Sequence, residues 1–183
     1  MKFKSLDNIW VYFRSILFIS DSINELKNRN LNLFGFLAFI LTVFALTIPD
    51  KKITLNIWMR NVLVVLVLFF IVLCMIFLFV YFVSGRKTYF VSYFTRINII
   101  LVLSLVLVSV PAFIVSHYVI ANILGIISLR NFLFVLIPYY NFLIFGFATE
   151  VLSDAKGFRG SLIALVSMTV LFIFYNSLRF VTT

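Results

Sequence analysis

The feature that most constrains this chain is an apolar run from Val62 to Val83, VLVVLVLFFIVLCMIFLFVYFV, which contains no charged residue. A helix needs about 20 apolar residues to cross a hydrocarbon core of about 30 Å, so this run predicts a transmembrane helix. The composition agrees, because 64% of the residues are hydrophobic and 11% are charged, against about 25% charged in an ordinary soluble domain. In water such a chain would expose large apolar patches, so a bilayer is its natural solvent.

Four further apolar segments bring the predicted number of spans to five. The spans run over about 31–48, 62–83, 97–115, 132–149 and 161–178. Backbone polar groups in lipid must bond within the protein, so the predicted fold is all-α, an integral membrane helical bundle. We expect a cytoplasmic amphipathic segment over 1–30 and a five-span transmembrane domain over 31–183. Residues 118–129 are apolar but short, and three interpretations stay open: a re-entrant helix, an interfacial helix or a sixth span.

The N-terminal segment has the spacing of one amphipathic helix. Its apolar residues recur at intervals of three, four and seven, at Ile9, Phe13, Ile16, Ile23 and Leu26, which places them on one helical face. Two positions are open for this helix. It can lie among the lipid headgroups, where its Trp and Tyr side chains are at home, or it can pack against the cytoplasmic end of the bundle.

The basic residues predict the orientation. With the N-terminus inside, cytoplasmic segments hold ten basic residues and outer segments hold five. Because cytoplasmic loops are enriched in Lys and Arg, we expect a cytoplasmic N-terminus and a C-terminus outside. The formal net charge of +9 resides on residues that flank the apolar segments. We therefore expect anionic lipid headgroups on the cytoplasmic side as partners, and no nucleic acid.

Two cytoplasmic stretches are candidate contact sites. The first follows Gly85 and holds Arg86, Lys87 and Arg96 among three aromatic residues, a composition that suits the interface with anionic lipid.

The second stretch is ATEVLSDAKGFRG, between the fourth and fifth spans. Glu150 and Asp154 are four residues apart and would share one helical face, and Lys156 and Arg159 follow them. Its glycines, at 157 and 160, are expected to form the turn. The stretch is either a solvated hairpin tip or a contact site for a partner or a lipid headgroup.

A polar cluster interrupts the fourth predicted span. Pro138, Tyr139, Tyr140 and Asn141 lie in its middle. An asparagine in a span commonly bonds to a neighbouring helix, whereas a proline-broken helix can line a substrate cavity. Both interpretations, helix packing and a cavity, remain open from the sequence.

Few residues in this chain could support catalysis. No carboxylate occurs between Lys51 and Thr149, the one histidine is His117, and the one cysteine is Cys74. Metal sites need several closely spaced ligands, and nucleotide hydrolysis needs a glycine-rich phosphate loop. We therefore expect no catalytic, cofactor-binding or metal-binding residues, no cofactor and no enzymatic activity.

In its whole layout the chain resembles the Yip-domain family of small five-span membrane proteins. Three places carry the likeness: the amphipathic N-terminal segment, the glycine-led stretch VSGRKTYFVSYFTRINIILVLSLVLVSVP, and the stretch YYNFLIFGFATEVLSDAKGFRGSLIALV. The resemblance implies a cytoplasmic N-terminus, an outer C-terminus and a membrane scaffold or membrane-shaping role. It also points to a prokaryotic protein, and so to the cell inner membrane.

Three functions are compatible with these patterns. The first is a non-enzymatic membrane scaffold that organises lipid, or binds another membrane protein or a second copy of itself. The second is a small transporter, or an accessory subunit of a transport complex, with a cavity around Pro138–Asn141. The third is a membrane-embedded immunity protein that blocks a pore-forming toxin.

Overall fold

A computed structural model describes residues 4–29, 31–47, 54–85 and 89–182. All regular secondary structure within these ranges is helical. The helices are α1 (Lys4–Ser15), α2 (Ser20–Lys27), α3 (Asn32–Leu46), α4 (Leu55–Ser84), α5 (Phe90–Ile123), α6 (Ile127–Ser153) and α7 (Phe158–Thr182). The prediction of an all-helical protein is confirmed for the part of the chain that is described.

Four helices are long and apolar enough to cross a membrane: α4, α5, α6 and the Phe158–Leu178 part of α7. The chain is therefore an integral membrane protein by the length and composition of its helices. With 15 residues, α3 is about 22 Å long, shorter than the hydrocarbon core. Together α2 and α3 form a fifth candidate for a span, although the two helices are bent by 117° relative to each other.

α5 is longer than the predicted third span at both ends. It begins at Phe90 rather than at residue 97, and it continues past 115 to Ile123. Two stretches of it, Leu105–Ser109 and Val115–Ile123, are π-helical and lie on either side of Pro111. Proline has no N–H to bond to the carbonyl four residues back, and the wider π-helical bonding lets the helix continue around it.

Residues 118–129 form no separate helix. They comprise the end of α5, a turn and the beginning of α6, which starts at Ile127 rather than at 132. Gly125 has a φ of 67°, a left-handed conformation that glycine adopts without a steric cost. A sixth span was therefore a wrong prediction, because a single turn at Gly125 divides these apolar residues between two long neighbouring helices. An interfacial or re-entrant position of the segment stays a prediction.

The single N-terminal helix was also a wrong prediction, because α1 and α2 are separated by a turn at which Phe18 has a φ of 58°. Ile16, Ile23 and Leu26 are buried, whereas Phe13 is 41% exposed, and the side chain of Ile9 lies outside the described residues. The ring of Phe18 packs on Tyr140 and Phe147 of α6. This segment therefore packs along the side of the bundle.

The five longer helices α3 to α7 form a ring in the order α3, α5, α6, α7, α4, with α4 closing on α3. Stacked aromatic rings join three of them: Phe39 of α3 lies 5.6 Å from Phe69 of α4, which lies 5.7 Å from Phe174 of α7. Two glycines allow the closest approaches. Gly35 of α3 faces Thr95 of α5, and Gly146 of α6 faces the backbone of α7, as small residues do where membrane helices pack.

Candidate functional site

Three clusters of polar residues connect neighbouring helices. Two are at one end of the bundle, formed by the α2–α3 turn, the first turns of α5 and the α6–α7 turn; we name it the turn end. The third lies at mid-length between α5 and α6. The opposite end, around Gly125, is named the hairpin end.

Arg96 is the most buried cation at the turn end, with a residue exposure of 6%. Its Nε donates to the carbonyl of Leu26 (3.4 Å), and its Nη1 donates to Asn32 Oδ1 (3.1 Å) and Thr95 Oγ1 (2.7 Å). A further bond runs from Nη2 to the carbonyl of Arg29. The sequence placed Arg96 in a loop ahead of the third span, but it lies in the second turn of α5 because that helix begins at Phe90.

These bonds connect α5 to the chain between α2 and α3. The carbonyls of the last turn of a helix have no intrahelical partner and carry partial negative charge, so a guanidinium suits the C-terminal end of α2. All the groups that accept bonds from Arg96 are neutral, however. Within the described ranges, the ion pairs join other residues, and no carboxylate pairs with Arg96. Its positive charge is therefore solvated by dipoles and is not neutralised.

An open cavity of about 420 Å³ is lined in part by Arg96. We name it the Arg96 pocket, and its walls are Asn28, Arg29, Asn32, Tyr89, Val91, Ser92 and Arg96. Arg29 donates at 2.5 Å to Glu25, and this bond raises the pKa of Arg29 above its usual range. Arg86 and Lys87 lie outside the described residues, although they precede Tyr89 in the sequence.

The second polar place is the α6–α7 turn. Glu150 is in the last turn of α6, while Asp154 follows the end of the helix with a left-handed φ of 55° and accepts a bond from Lys27 of α2. Both acids line a second cavity, of about 290 Å³, together with Lys156. The bond between Lys27 and Asp154 joins α2 to the end of α6, and its atoms are partly exposed, so we expect it to contribute at most about 1 kcal/mol.

The two glycines of this stretch have different roles. Gly157 lies in the turn with a φ of 61°. Gly160 lies inside α7, so the expectation that it forms the turn was wrong. An added Cβ would be 2.7 Å from Glu150 Oε1, so this glycine allows the close return of α7 beside α6, as the sequence also predicted. Arg159 extends away from the acids, and its Nη1 would be 3.8 Å from a Cβ on Gly85. It therefore lies beside the end of α4.

The four residues predicted as a cluster in α6 point to different neighbours. Pro138 is half-buried within a helix that continues through it. Tyr139 packs on Phe172 of α7, and the hydroxyl of Tyr140 donates to the carbonyl of Ile16. Asn141 contacts α5. Successive helical residues are about 100° apart, so the four side chains separate instead of converging on one cavity.

Asn141 bonds to two serines of α5 that the sequence did not single out. Its Nδ2 donates to Ser109 Oγ at 2.9 Å, and its Oδ1 accepts a bond from Ser104. Residues five apart would diverge by about 140° on an α-helix, but the π-helical stretch between them, with i to i+5 bonds, brings both to one face. The sequence signal that could have identified these partners is a pair of serines five residues apart, close to a proline.

Within the described ranges there is no group of three or more His, Cys, Asp or Glu residues arranged to hold a metal ion. His117 stacks on Phe113, with 6.0 Å between the ring centres. Known protein families, curated sequences and solved structures contain no match to this chain.

Proposed function

We propose that this chain is a non-enzymatic, multi-pass membrane scaffold that organises lipid or binds another membrane protein. The observation that carries the proposal is the distribution of polar and apolar groups. Inside the bundle, polar side chains such as Asn141, Ser104 and Ser109 bond to one another, whereas large apolar side chains face outward. A surface of this kind is suited to contact with lipid chains or with other membrane helices.

The hairpin end presents many exposed apolar side chains. Large exposed side chains occur on both arms and at the tip, at Phe113, Tyr118, Ile123, Leu124, Ile127, Phe132 and Leu136. The 34 residues of α5 correspond to about 51 Å of ideal α-helix, well beyond a core of about 30 Å. In a bilayer such a helix must tilt or protrude, and either arrangement places the hairpin end where it can meet a partner.

The proposal includes five spans, with α3 as the first and with the α2–α3 turn at its cytoplasmic end. It also includes a cytoplasmic N-terminus, an outer C-terminus and the cell inner membrane, as the basic residues and the resemblance to the Yip-domain family suggest. The turn end would then face the cytoplasm, and the hairpin end would face the outside.

Site-specific photocrosslinking in intact cells tests the partner. A benzophenone side chain in place of Phe132, which is 58% exposed on the hairpin end, is expected to crosslink to one protein species. The matched control is the same replacement at Phe82, an exposed residue of α4 near the turn end, which is expected to give no such band. Lipid adducts alone at both positions, with no co-purifying protein after mild extraction, would contradict a partner-binding role.

A transporter is the competing function. The accessibility of position 141 to a water-soluble reagent distinguishes a transporter from a scaffold. If Asn141 serves helix packing, Asn141→Cys in a Cys74→Ala background should not react with a membrane-impermeant maleimide from either side. Lys156→Cys, in the exposed α6–α7 turn, is the positive control. Labelling of position 141 at a rate near that of position 156 would show a water-filled path and favour transport.

A further inference from the structure

We propose that the Arg96 pocket binds a phosphate group, supplied by an anionic phospholipid of the leaflet at the turn end. This site rests on the proposed lipid-organising function and gives that function a specific ligand. Three properties of the pocket support it: its charge, its free hydrogen-bond donors and its depth along α5.

The charge of the pocket is positive and only partly compensated. Arg29 and Arg96 line it, and no acidic residue does. Arg29 has Glu25 as a partner, whereas Arg96 bonds only to neutral acceptors. A buried cation in a membrane helix is costly and normally acquires a partner. An anion in the adjoining cavity would neutralise the charge that the described residues leave uncompensated.

The donors around the cavity match phosphate. The Oδ1 of Asn32 accepts from Arg96, which leaves its Nδ2 group as a donor. Asn28 and Ser92 add an amide and a hydroxyl to the walls. Phosphate oxygens accept several bonds at once, and guanidinium groups bind them with favourable geometry.

The depth and the surroundings favour a lipid as the source. Arg96 is six residues from the start of α5, or about 9 Å along the helix, which is the depth of the boundary between headgroups and acyl chains. Val91 and Tyr89 are exposed beside the cavity, so acyl chains can extend along them while the phosphate enters. Each basic residue near a membrane surface contributes to the attraction of anionic lipid.

Native mass spectrometry of the full-length protein in a non-ionic detergent tests the site. The protein is titrated with phosphatidylglycerol or phosphatidylcholine, and the first bound lipid is measured. Wild type is expected to prefer phosphatidylglycerol, and Arg29→Gln is expected to weaken its binding about fivefold, the effect of one surface cation. Binding of phosphatidylcholine should change little, because its headgroup has no net charge.

Glu25→Gln is the matched control, because it breaks the same ion pair but keeps the cation. It should bind phosphatidylglycerol at least as tightly as wild type, whereas a purely structural role of the pair predicts equal losses in both variants. If Arg29→Gln does not fold, Ser92→Asp places a carboxylate in the pocket wall and should weaken binding in the same way.

Competition with inorganic phosphate shows whether the bound phosphate group belongs to a lipid or to a soluble anion. Failure of millimolar phosphate to displace phosphatidylglycerol supports a lipid ligand, and full displacement supports a phosphate site that takes a soluble anion. Equal affinity of wild type for the two lipids, or equal losses in the Arg29 and Glu25 variants, would overturn the site. Neither of these results would affect the photocrosslinking result, so failure of the site is distinguishable from failure of the scaffold proposal.

Discussion

Gly35→Ala is expected to destabilise the bundle by about 1 to 3 kcal/mol, the range for overpacking a close contact. A Cβ on Gly35 would lie 2.2 Å from Thr95 Cβ and 2.4 Å from Thr95 Cα. The second of these is a backbone atom, so a change of rotamer cannot relieve the clash. α3 must move away from α5, and the stacked rings of Phe39 and Phe69 move with it.

The measurement is unfolding in detergent, followed by circular dichroism and by the fluorescence of Trp58 in a Trp10→Phe background. The indole of Trp58 donates at 2.9 Å to the carbonyl of Thr47, so it reports on the end of α3. Leu37→Ala is the control on the same helix, because Leu37 is 50% exposed on the outer face, and a change within about 0.5 kcal/mol is expected. If Gly35→Ala were as stable as wild type, α3 and α5 could not approach as closely as described.

Arg96→Leu is expected to release the chain between α2 and α3 from α5. The substitution leaves the carbonyls of Leu26 and Arg29 and the amide of Asn32 without their donors, and each unsatisfied buried acceptor costs about 1 to 3 kcal/mol. The total cost is smaller than the sum of these terms, because the segment can open locally and its unsatisfied acceptors can then bond to water. We expect opening to become easier by about 2 to 3 kcal/mol, hence about 30 to 150 times more frequent.

Limited trypsin digestion measures this opening, because Lys27 and Arg29 are cleavage sites in the released segment. Cleavage after these two residues should accelerate in Arg96→Leu and change much less in Arg96→Lys, whose ammonium retains charge and up to three donors. Arg130→Leu is the control at the hairpin end, where the exposed guanidinium donates to Asn131 and lies over the ring of Phe134. Unchanged cleavage in Arg96→Leu would show that Arg96 does not hold this segment.

The sequence identified some residues of the candidate site but not the contacts that they make. Asn141 was recognised as polar within a span, but its partners Ser104 and Ser109 were not, because α-helical spacing puts those serines on different faces. The π-helical stretch beside Pro111 brings them together. Arg96 was recognised as a basic residue near a membrane boundary, whereas its burial depends on the packing of α2, α3 and α5, which no local pattern reports.

The sequence by itself determined the solvent, the helical class and the approximate positions of most spans, because the length and apolarity of a segment decide whether it can cross a bilayer. It also limited catalytic and metal chemistry, since ionisable residues are scarce. Only the tertiary structure decided the break between α1 and α2, the division of 118–129 between two helices and the surroundings of Arg96. These features depend on contacts between residues distant in the chain, such as Phe18 with Tyr140 and Arg96 with Leu26, and apolar periodicity carries no information about such pairs.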